Sequence, residues 1–446
     1  MNDEPLRDLG EGLIMRSGRP EDIVAIADLM GKVFRDREDE PFNAYEAEWA
    51  TDLGSGRHPF TDVHRCLVVE DRMANGAIVA SLWPIPVVWS YGDIPFAVGR
   101  PEEVGTAPPY RNRGLIRAMM EEFHRRSTAD GELVQAITGI PYFYRQFGYE
   151  FAVDLGWRGR SVSFADIPPR ADEPEMFRLR FAEDADLPFV MALYDRDRRR
   201  DLVSAVIPPV YWRWALDRTA RDAGQGWHVM VIEDAAGQPA GYALPRSRRG
   251  GDGLGIAGLG VREGVSLVAV RAALLRALRD LAERTPPARG DEPARYLRFQ
   301  LGREHPLYAV LDERFAPRHD RPYAWYVRVP DVARFLRHVA PTLEARVAGS
   351  ALDGYSGDVL LSFYREGVRL AWEHGRLMAV ESWRRGVWGP DPQARFPPLV
   401  FLSLLFGRYS LDDLMEHYPD VGAAADAAAL LRVIFPAAPS NLLELD

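Results

Sequence analysis

The 446-residue sequence has almost no cysteine and almost no lysine. Cys66 stands alone, which excludes an internal disulfide and a zinc site built on cysteines. Its surroundings, Cys66-Leu67-Val68-Val69, read as a buried strand. Lys32 is the only lysine among 55 basic residues, a bias that genome composition explains before any function does. An excess of positive charge is also missing. The formal net charge of −10 argues against a general nucleic-acid binder and suits a cationic substrate drawn to an acidic surface. No apolar run approaches membrane-span length, and Met1-Asn2-Asp3-Glu4 opens the chain without a signal-like stretch, so no membrane span and a cytoplasmic location are expected. There is no three-glycine nucleotide fingerprint and no P-loop. The nine histidines form no His-x-x-x-His pair, and no acidic ligand cluster or Gly-x-Ser-x-Gly elbow occurs, which leaves no metal site and no serine-hydrolase chemistry to expect.

What is present is a globular composition, 47% hydrophobic and 27% charged, in a chain long enough for two or three domains. The most informative stretch is Val104-Gly105-Thr106-Ala107-Pro108-Pro109-Tyr110-Arg111-Asn112-Arg113-Gly114-Leu115-Ile116-Arg117-Ala118-Met119-Met120. Leu115, Ile116, Met119, Met120 and Phe123 share one helical stripe, which predicts a helix with Arg111, Arg113 and Arg117 around its first turns. A helix N-terminus carries partial positive charge and unpaired N–H groups, so cations gathered there are unfavourable without an anion between them. A pyrophosphate supplies that anion, and Gly114 withholds the side chain that would keep it at a distance. The segment reads as a phosphate cradle.

This cradle resembles the acyl-CoA loop of the GNAT superfamily of N-acetyltransferases, Arg/Gln-x-x-Gly-x-Gly/Ala at a strand-to-helix junction. Arg111 and Gly114 match, and Ile116 replaces the last small residue. The variant Arg-x-Arg-Gly-Leu-Ile-Arg-Ala-Met-Met is similar to the enhanced intracellular survival (Eis) branch. The resemblance implies acetyl-CoA as co-substrate, no metal, and cofactor contacts from Val104, Gly105, Thr106, Arg111, Asn112, Arg113, Gly114, Leu115 and Ile116.

The order of elements is compatible with that resemblance. A strand at Ile14-Met15-Arg16, a helix from Asp22 to Phe34 and an acidic, aromatic excursion from Asp36 to Trp49 are followed by strands at 65–71, 77–90 and 94–106, the cradle helix and a strand at 134–138. The pattern restarts after 161–178: Phe177-Arg178-Leu179-Arg180 is a strand, and Ala182-Glu183-Asp184-Ala185-Asp186 opens a helix as Arg19-Pro20-Glu21-Asp22 did. At the cradle position the repeat reads Val261-Arg262-Glu263-Gly264, with Glu263 set against any phosphate. The second copy is not expected to bind CoA. Gly250-Gly251-Asp252-Gly253 reads as a hairpin turn. A third region shows alternation around Val359, Val368 and Leu377 and helices near 397–406, 410–417 (Ser410 as cap, Asp413 three residues on) and 422–434, a combination similar to a sterol-carrier-like domain. The expected α/β (α+β) architecture is a pair of tandem GNAT-like mixed-sheet domains, 1–160 for acetyl-CoA and a degenerate 161–335, followed by a small α+β domain, 336–446.

A second motif, Gly139-Ile140-Pro141-Tyr142-Phe143-Tyr144-Arg145-Gln146-Phe147-Gly148-Tyr149, matches the Tyr-x-x-Phe-Gly-Tyr element of the same branch. The resemblance puts Tyr144 near the thioester sulfur, whereas Tyr142, Phe143, Phe147 and Tyr149 are expected to pack under the sheet. A phenol with a reference pKa of about 10 stays protonated at neutral pH and can protonate a leaving thiolate. Backbone N–H groups of Val104 and Thr106 are the expected oxyanion donors. No His or Glu is marked as base by spacing. The resemblance offers the C-terminal carboxylate instead, here on Asp446, anchored by Leu442 and Leu443. Phe34, Asp36, Glu38, Asp39, Glu40, Phe42, Tyr45, Trp49, Trp83 and Trp89 are the candidates to line a pocket for a cationic amine. The function expected is transfer of acetyl to a primary amine of a small molecule or peptide, in a homo-oligomer that the resemblance makes a trimer or hexamer. The rival is a non-catalytic acyl-CoA or lipid carrier or sensor.

Overall fold

The computed structural model describes residues 5–445 apart from 36, 38, 156–158, 171, 173, 221–225, 312–322 and 385–389. Apolar alternation builds its first sheet. β1 (Arg7–Gly10), β2 (Leu13–Ser17), β3 (Leu67–Asp71), β4 (Ala77–Tyr91) and β5 (Ile94–Thr106) form an antiparallel meander, with α1 (Ile23–Val33) and α2 (Ala44–Gly54) inserted after β2. α3 (Leu115–Ala129) crosses over to β6 (Val134–Ile137), which lies parallel to β5. α3 buries Leu115, Met119, Met120 and Phe123, the stripe legible in the sequence, and each such side chain contributes about 1.5–3 kcal/mol when fully buried. β7 (Glu150–Asp154) and β8 (Arg160–Ser163) follow.

The second copy repeats this plan. β9 (Phe177–Phe181), α4 (Leu187–Arg198), β10 (Val203–Ala205), α5 (Pro209–Ala220), β11 (Met230–Asp234), β12 (Pro239–Pro245) and β13 (Gly253–Val261) precede the crossover helix α6 (Leu267–Arg284) and β14 (Tyr296–Phe299). Short α7 (Leu307–Val310) and β15 (Ala324–Arg328) close it. The duplication extends to one charged clamp. Arg16 on β2 holds Asp22 at 2.6 Å and Glu70 of β3 at 2.6 Å, and Arg180 on β9 holds Asp186 and Glu233 of β11 at the same distances. Arg16 and Asp22 are buried, so losing one partner costs about 3–5 kcal/mol.

Sheet membership departs from the chain-order boundaries 1–160 and 161–335. β8 follows the first copy but pairs with β14 of the second, whereas β15 follows the second copy and inserts between β6 and β7 of the first. Alternation in Ala324-Trp325-Tyr326-Val327-Arg328 marks a strand without naming its neighbour, which is why the exchange is invisible in the sequence. β10 also joins the first sheet, against β4.

The third region begins with α8 (Val332–His338) and α9 (Ala340–Ala348). A sheet of β16 (Gly357–Ser362), β17 (Gly367–Glu373), β18 (Arg376–Trp383), β19 (Ala394–Arg395) and β20 (Gly422–Ala423) packs with α10 (Val400–Leu405), α11 (Leu411–His417) and α12 (Ala425–Ile434). Ser410 and Asp413 form the reciprocal cap their spacing led us to expect. This region is joined to the first sheet by Arg408 on Asp154 at 2.9 Å and by the Tyr91 hydroxyl donating to the Leu405 carbonyl at 2.8 Å. β21 (Ser440–Asn441) then leaves it and pairs with β10. Among the described residues no helix is long and apolar enough to cross a membrane.

Candidate active site

β5 and β6 share a ladder only at Val98–Val134 and Gly99–Gln135. Beyond it β5 runs on from Arg100 to Thr106 with no strand paired on that side among the described residues, so the two strands open a wedge in the sheet. The other edge of β5 is bulged: Ser81 faces Gly105 and Trp83 faces Glu102, so Glu103 and Val104 share one partner position. Glu103 takes φ 49°, a conformation rarely adopted by a non-glycine residue.

The bulge brings carboxyl groups to a cavity of about 240 Å³ between the parted strands. β5 contributes Pro101, Glu102, Glu103 and Val104, the segment after β6 contributes Thr138, Gly139 and Ile140, and Phe34 with Glu46 and Trp49 of α2 close the far side. Glu102 pairs with Arg100, which lies over the Trp325 ring at 4.9 Å. Burial first, then the neighbouring Glu46 carboxyl and Glu102, push the Glu103 carboxyl well above the usual carboxylate range. The Glu103 carboxyl is hydrogen-bonded to Glu46, and its charged form is disfavoured there.

Tyr144 completes the wall, in the 3-10 helix Phe143–Phe147. It is 5% exposed, and its hydroxyl makes no hydrogen bond among the described residues. Burial is the main cause that pushes this phenol above its ordinary value, which keeps the proton on it. Gly139, at φ 136°, leaves room for the ring: a Cβ there would lie 3.3 Å from Tyr144. The exchanged strand fixes this loop. The Tyr326 hydroxyl accepts from the Tyr142 backbone N–H, the Tyr323 hydroxyl donates to the Gly139 carbonyl, and the Tyr326 ring meets Tyr144 edge-on at 5.7 Å.

The cradle lies where β5 turns into α3. Arg111, Asn112, Arg113 and Gly114 are exposed, Val104 and Ile116 are half-buried, and Gly105, Thr106 and Leu115 are buried. Gly114 has φ 77° and caps α3, and nothing lies within 4 Å of where its Cβ would project. That open space in front of unpaired helix N–H groups fits a phosphate. Arg111 reaches the Thr106 carbonyl at 3.5 Å and Arg113 sits 3.5 Å from the exposed Glu11 carboxylate, so neither is held by a short ion pair. Arg117 turns away: it donates to Gln146 at 2.8 Å and lies over Phe147, tying α3 to the Tyr144 helix. In the second copy Arg262 is held by Asp234 at 3.2 Å beside the exposed Glu263.

The tail approaches the same wedge. Leu442, Leu443 and Leu445 are buried, Trp227 donates to the Glu444 carbonyl at 3.2 Å, and Arg100 donates to the Leu445 carbonyl at 3.3 Å. Asp446 lies outside the described residues, as do Asp36 and Glu38. Of the aromatic pocket candidates, Phe34 and Trp49 line the cavity, whereas Trp83 and Trp89 are core residues, 0% and 2% exposed, with Trp89 against Phe96 and Trp325. Tyr142 does not pack under the sheet but is 75% exposed beneath the Arg145 guanidinium. Sequence reading missed Glu102, Glu103, Tyr323 and Tyr326. A doubled glutamate directly before the cradle was the one available signal.

Residues 15–152 match the family model described as an acetyltransferase (GNAT) domain. The chain carries a GNAT acetyltransferase domain. Acyl transfer is the chemistry of GNAT domains, and acetyl-CoA is the donor such domains use. Solved structures agree in fold over nearly the whole length. The GCN5-related N-acetyltransferase from Anabaena variabilis is 15% identical with a TM-score of 0.66, covering 97% of this chain and 99% of that one. A probable N-acyltransferase from Enterococcus faecalis gives 13% and 0.65 over 97% and 99%. Eis1 from Mycobacterium abscessus gives 18% and 0.53 over 84% and 89%. No curated protein sequence is matched at a significant level.

Proposed function

We propose that this GNAT protein transfers acetyl from acetyl-CoA to a cationic primary amine, at a single site in the first copy. The observation that carries the reading is the wedge: Tyr144 and the Glu46 and Glu103 carboxyls line one gap between β5 and β6, and β5 leads from that gap towards the open N-terminus of α3. Arg111, Asn112, Arg113, Gly114, Leu115 and Ile116 hold the pyrophosphate, and Val104, Gly105 and Thr106 offer backbone groups along the bound thioester arm. Acetyl-CoA supplies the thioester carbon that the amine attacks.

The cavity sorts its groups by charge. Burial beside Glu46 holds the Glu103 carboxyl well above the usual carboxylate range, and the Glu46–Glu103 pair docks an ammonium by hydrogen bonds and charge rather than serving as its base. Trp49 and Phe34 give the amine's carbon body an apolar face. Proton removal falls to the carboxylate of Asp446, which follows the Leu445 carbonyl anchored on Arg100. Tyr144, protonated and otherwise unbonded, donates to the departing sulfur. Substrates held in line supply much of the remaining rate. The exposed Glu263 leaves the second copy without a phosphate site.

The tail tests this division of labour. Appending residues after Asp446 moves the terminal carboxylate, so acetylation should be lost while CoA binding and thermal stability stay near wild type. Normal turnover by the extended protein would remove Asp446 from the mechanism.

A further inference from the structure

The second sheet opens as the first does. β13 and β14 pair in parallel from Gly253–Tyr296 to Ile256–Phe299 and then part, while β13 continues to Val261. Between the parted ends, α4 and the segment after β14 lies a cavity of about 260 Å³. Pro439, Asn441 and Leu443 of the tail line it, held in place by the pairing of Ser440 and Asn441 with Val203 and Ser204.

The charges of its wall do not cancel. Asp197, 9% exposed, takes Arg196 at 2.6 Å and Arg200 at 2.9 Å on one carboxylate oxygen, and its Oδ2 is buried with no hydrogen-bond partner. Arg198 is committed to Asp195 at 2.6 Å and to the Ser90 hydroxyl. Asp201 and Glu304 also line the cavity, and neither carboxyl has a hydrogen bond or ion pair among the described residues. Burial raises the Asp201 carboxyl to about 7; Arg200 opposes that shift, and Glu304 and Asp154 add to it. His305 brings no positive charge: its Nδ1 accepts from the Leu307 N–H, its Nε2 meets the Leu259 carbonyl at 3.0 Å, and burial pushes it down to about 4. Leu259, Leu301 and Leu443 give the remaining wall an apolar side.

We infer that this second cavity binds a small aliphatic primary amine, with the ammonium between Asp201 and Glu304 and the carbon chain against Leu259, Leu301 and Leu443. An ammonium satisfies the half-buried Asp201 carboxyl and the exposed Glu304 carboxyl that repels it; an alcohol brings no charge, and a carboxylate adds repulsion. The site is separate from the wedge of the first copy and does not depend on how that wedge is used.

The test is calorimetric titration of hexylamine into the full chain carrying Glu46→Gln and Glu103→Gln, which removes the carboxyl pair proposed to dock an amine in the first cavity and leaves Glu102 paired with Arg100. Saturable binding is expected, with hydrogen exchange slowed across 439–443. Adding Asp201→Asn and Glu304→Gln should weaken binding by roughly tenfold or more. Hexanol and hexanoate should not compete. Absence of saturable hexylamine binding at millimolar concentration, or binding untouched by the Asp201→Asn and Glu304→Gln changes, overturns the inference. If the further variant does not fold, the three ligands decide on the parent protein, and equal binding of hexanol and hexylamine overturns it as well.

Discussion

The backbone N–H of Tyr142 donates to the hydroxyl of Tyr326, which lies 184 residues further along the chain. A strand from the end of the second copy thus holds the loop that presents Tyr144. Tyr326→Phe keeps the ring against Tyr144 and removes only the acceptor. A lost neutral hydrogen bond is worth about 0.5–1.5 kcal/mol, so kcat should fall by roughly 2–10-fold with KM for acetyl-CoA unchanged. Steady-state kinetics check this, and wild-type kcat would show that the bond does not align the loop.

Tyr144→Phe deletes the proton donor and keeps the packing. Turnover should drop by about 10²–10⁴-fold, the usual scale of general acid catalysis, with CoA affinity little altered. A fully active variant would reduce Tyr144 to a wall residue.

Replacing Arg111 and Arg113 together with Ala should weaken CoA by several kcal/mol, at about 1.5–3 kcal/mol for each charge-assisted contact. Titration of the unaltered chain should give one CoA per chain. Two equivalent sites would mean that Glu263 does not prevent phosphate binding in the second copy.

Glu103 makes stability depend on pH. Its folded carboxyl titrates well above the ordinary glutamate value of 4.5, so above that pH the folded chain holds a proton that the unfolded chain has lost. Stability from this group is therefore present at low pH and declines as pH rises from about 4.5 through the raised value. Glu103→Gln should flatten that decline and be more stable than wild type at the alkaline end. Denaturant melts from acid to mildly alkaline pH measure it, and parallel profiles would refute the raised titration of Glu103.

How much was legible follows from the range of the interactions. Arg111, Arg113 and Gly114 announce the start of α3 because the cap and its charges lie within one turn. Ser410 with Asp413, and the echo of Arg19-Pro20-Glu21-Asp22 in the second copy, are local in the same way. The meeting of Glu46 with Glu103 depends on a bulge opposite Leu82 and on the placement of α2, neither of which leaves a periodic trace. The insertion of Tyr323 and Tyr326 beside Tyr144 requires a pairing chosen over the whole second copy. Trp83 and Trp89 misled for the converse reason: aromatic side chains on a long strand fill a core as readily as a pocket.

Thiol release from acetyl-CoA, followed with a panel of primary amines against the unaltered chain and Tyr144→Phe, tests acetyl transfer in the first copy most directly. Release should be slow without an amine, saturate with cationic amines, yield the acetylated amine in equal amount and collapse in Tyr144→Phe. Tight CoA binding with no amine-dependent release would contradict catalysis and leave an acyl-CoA carrier or sensor.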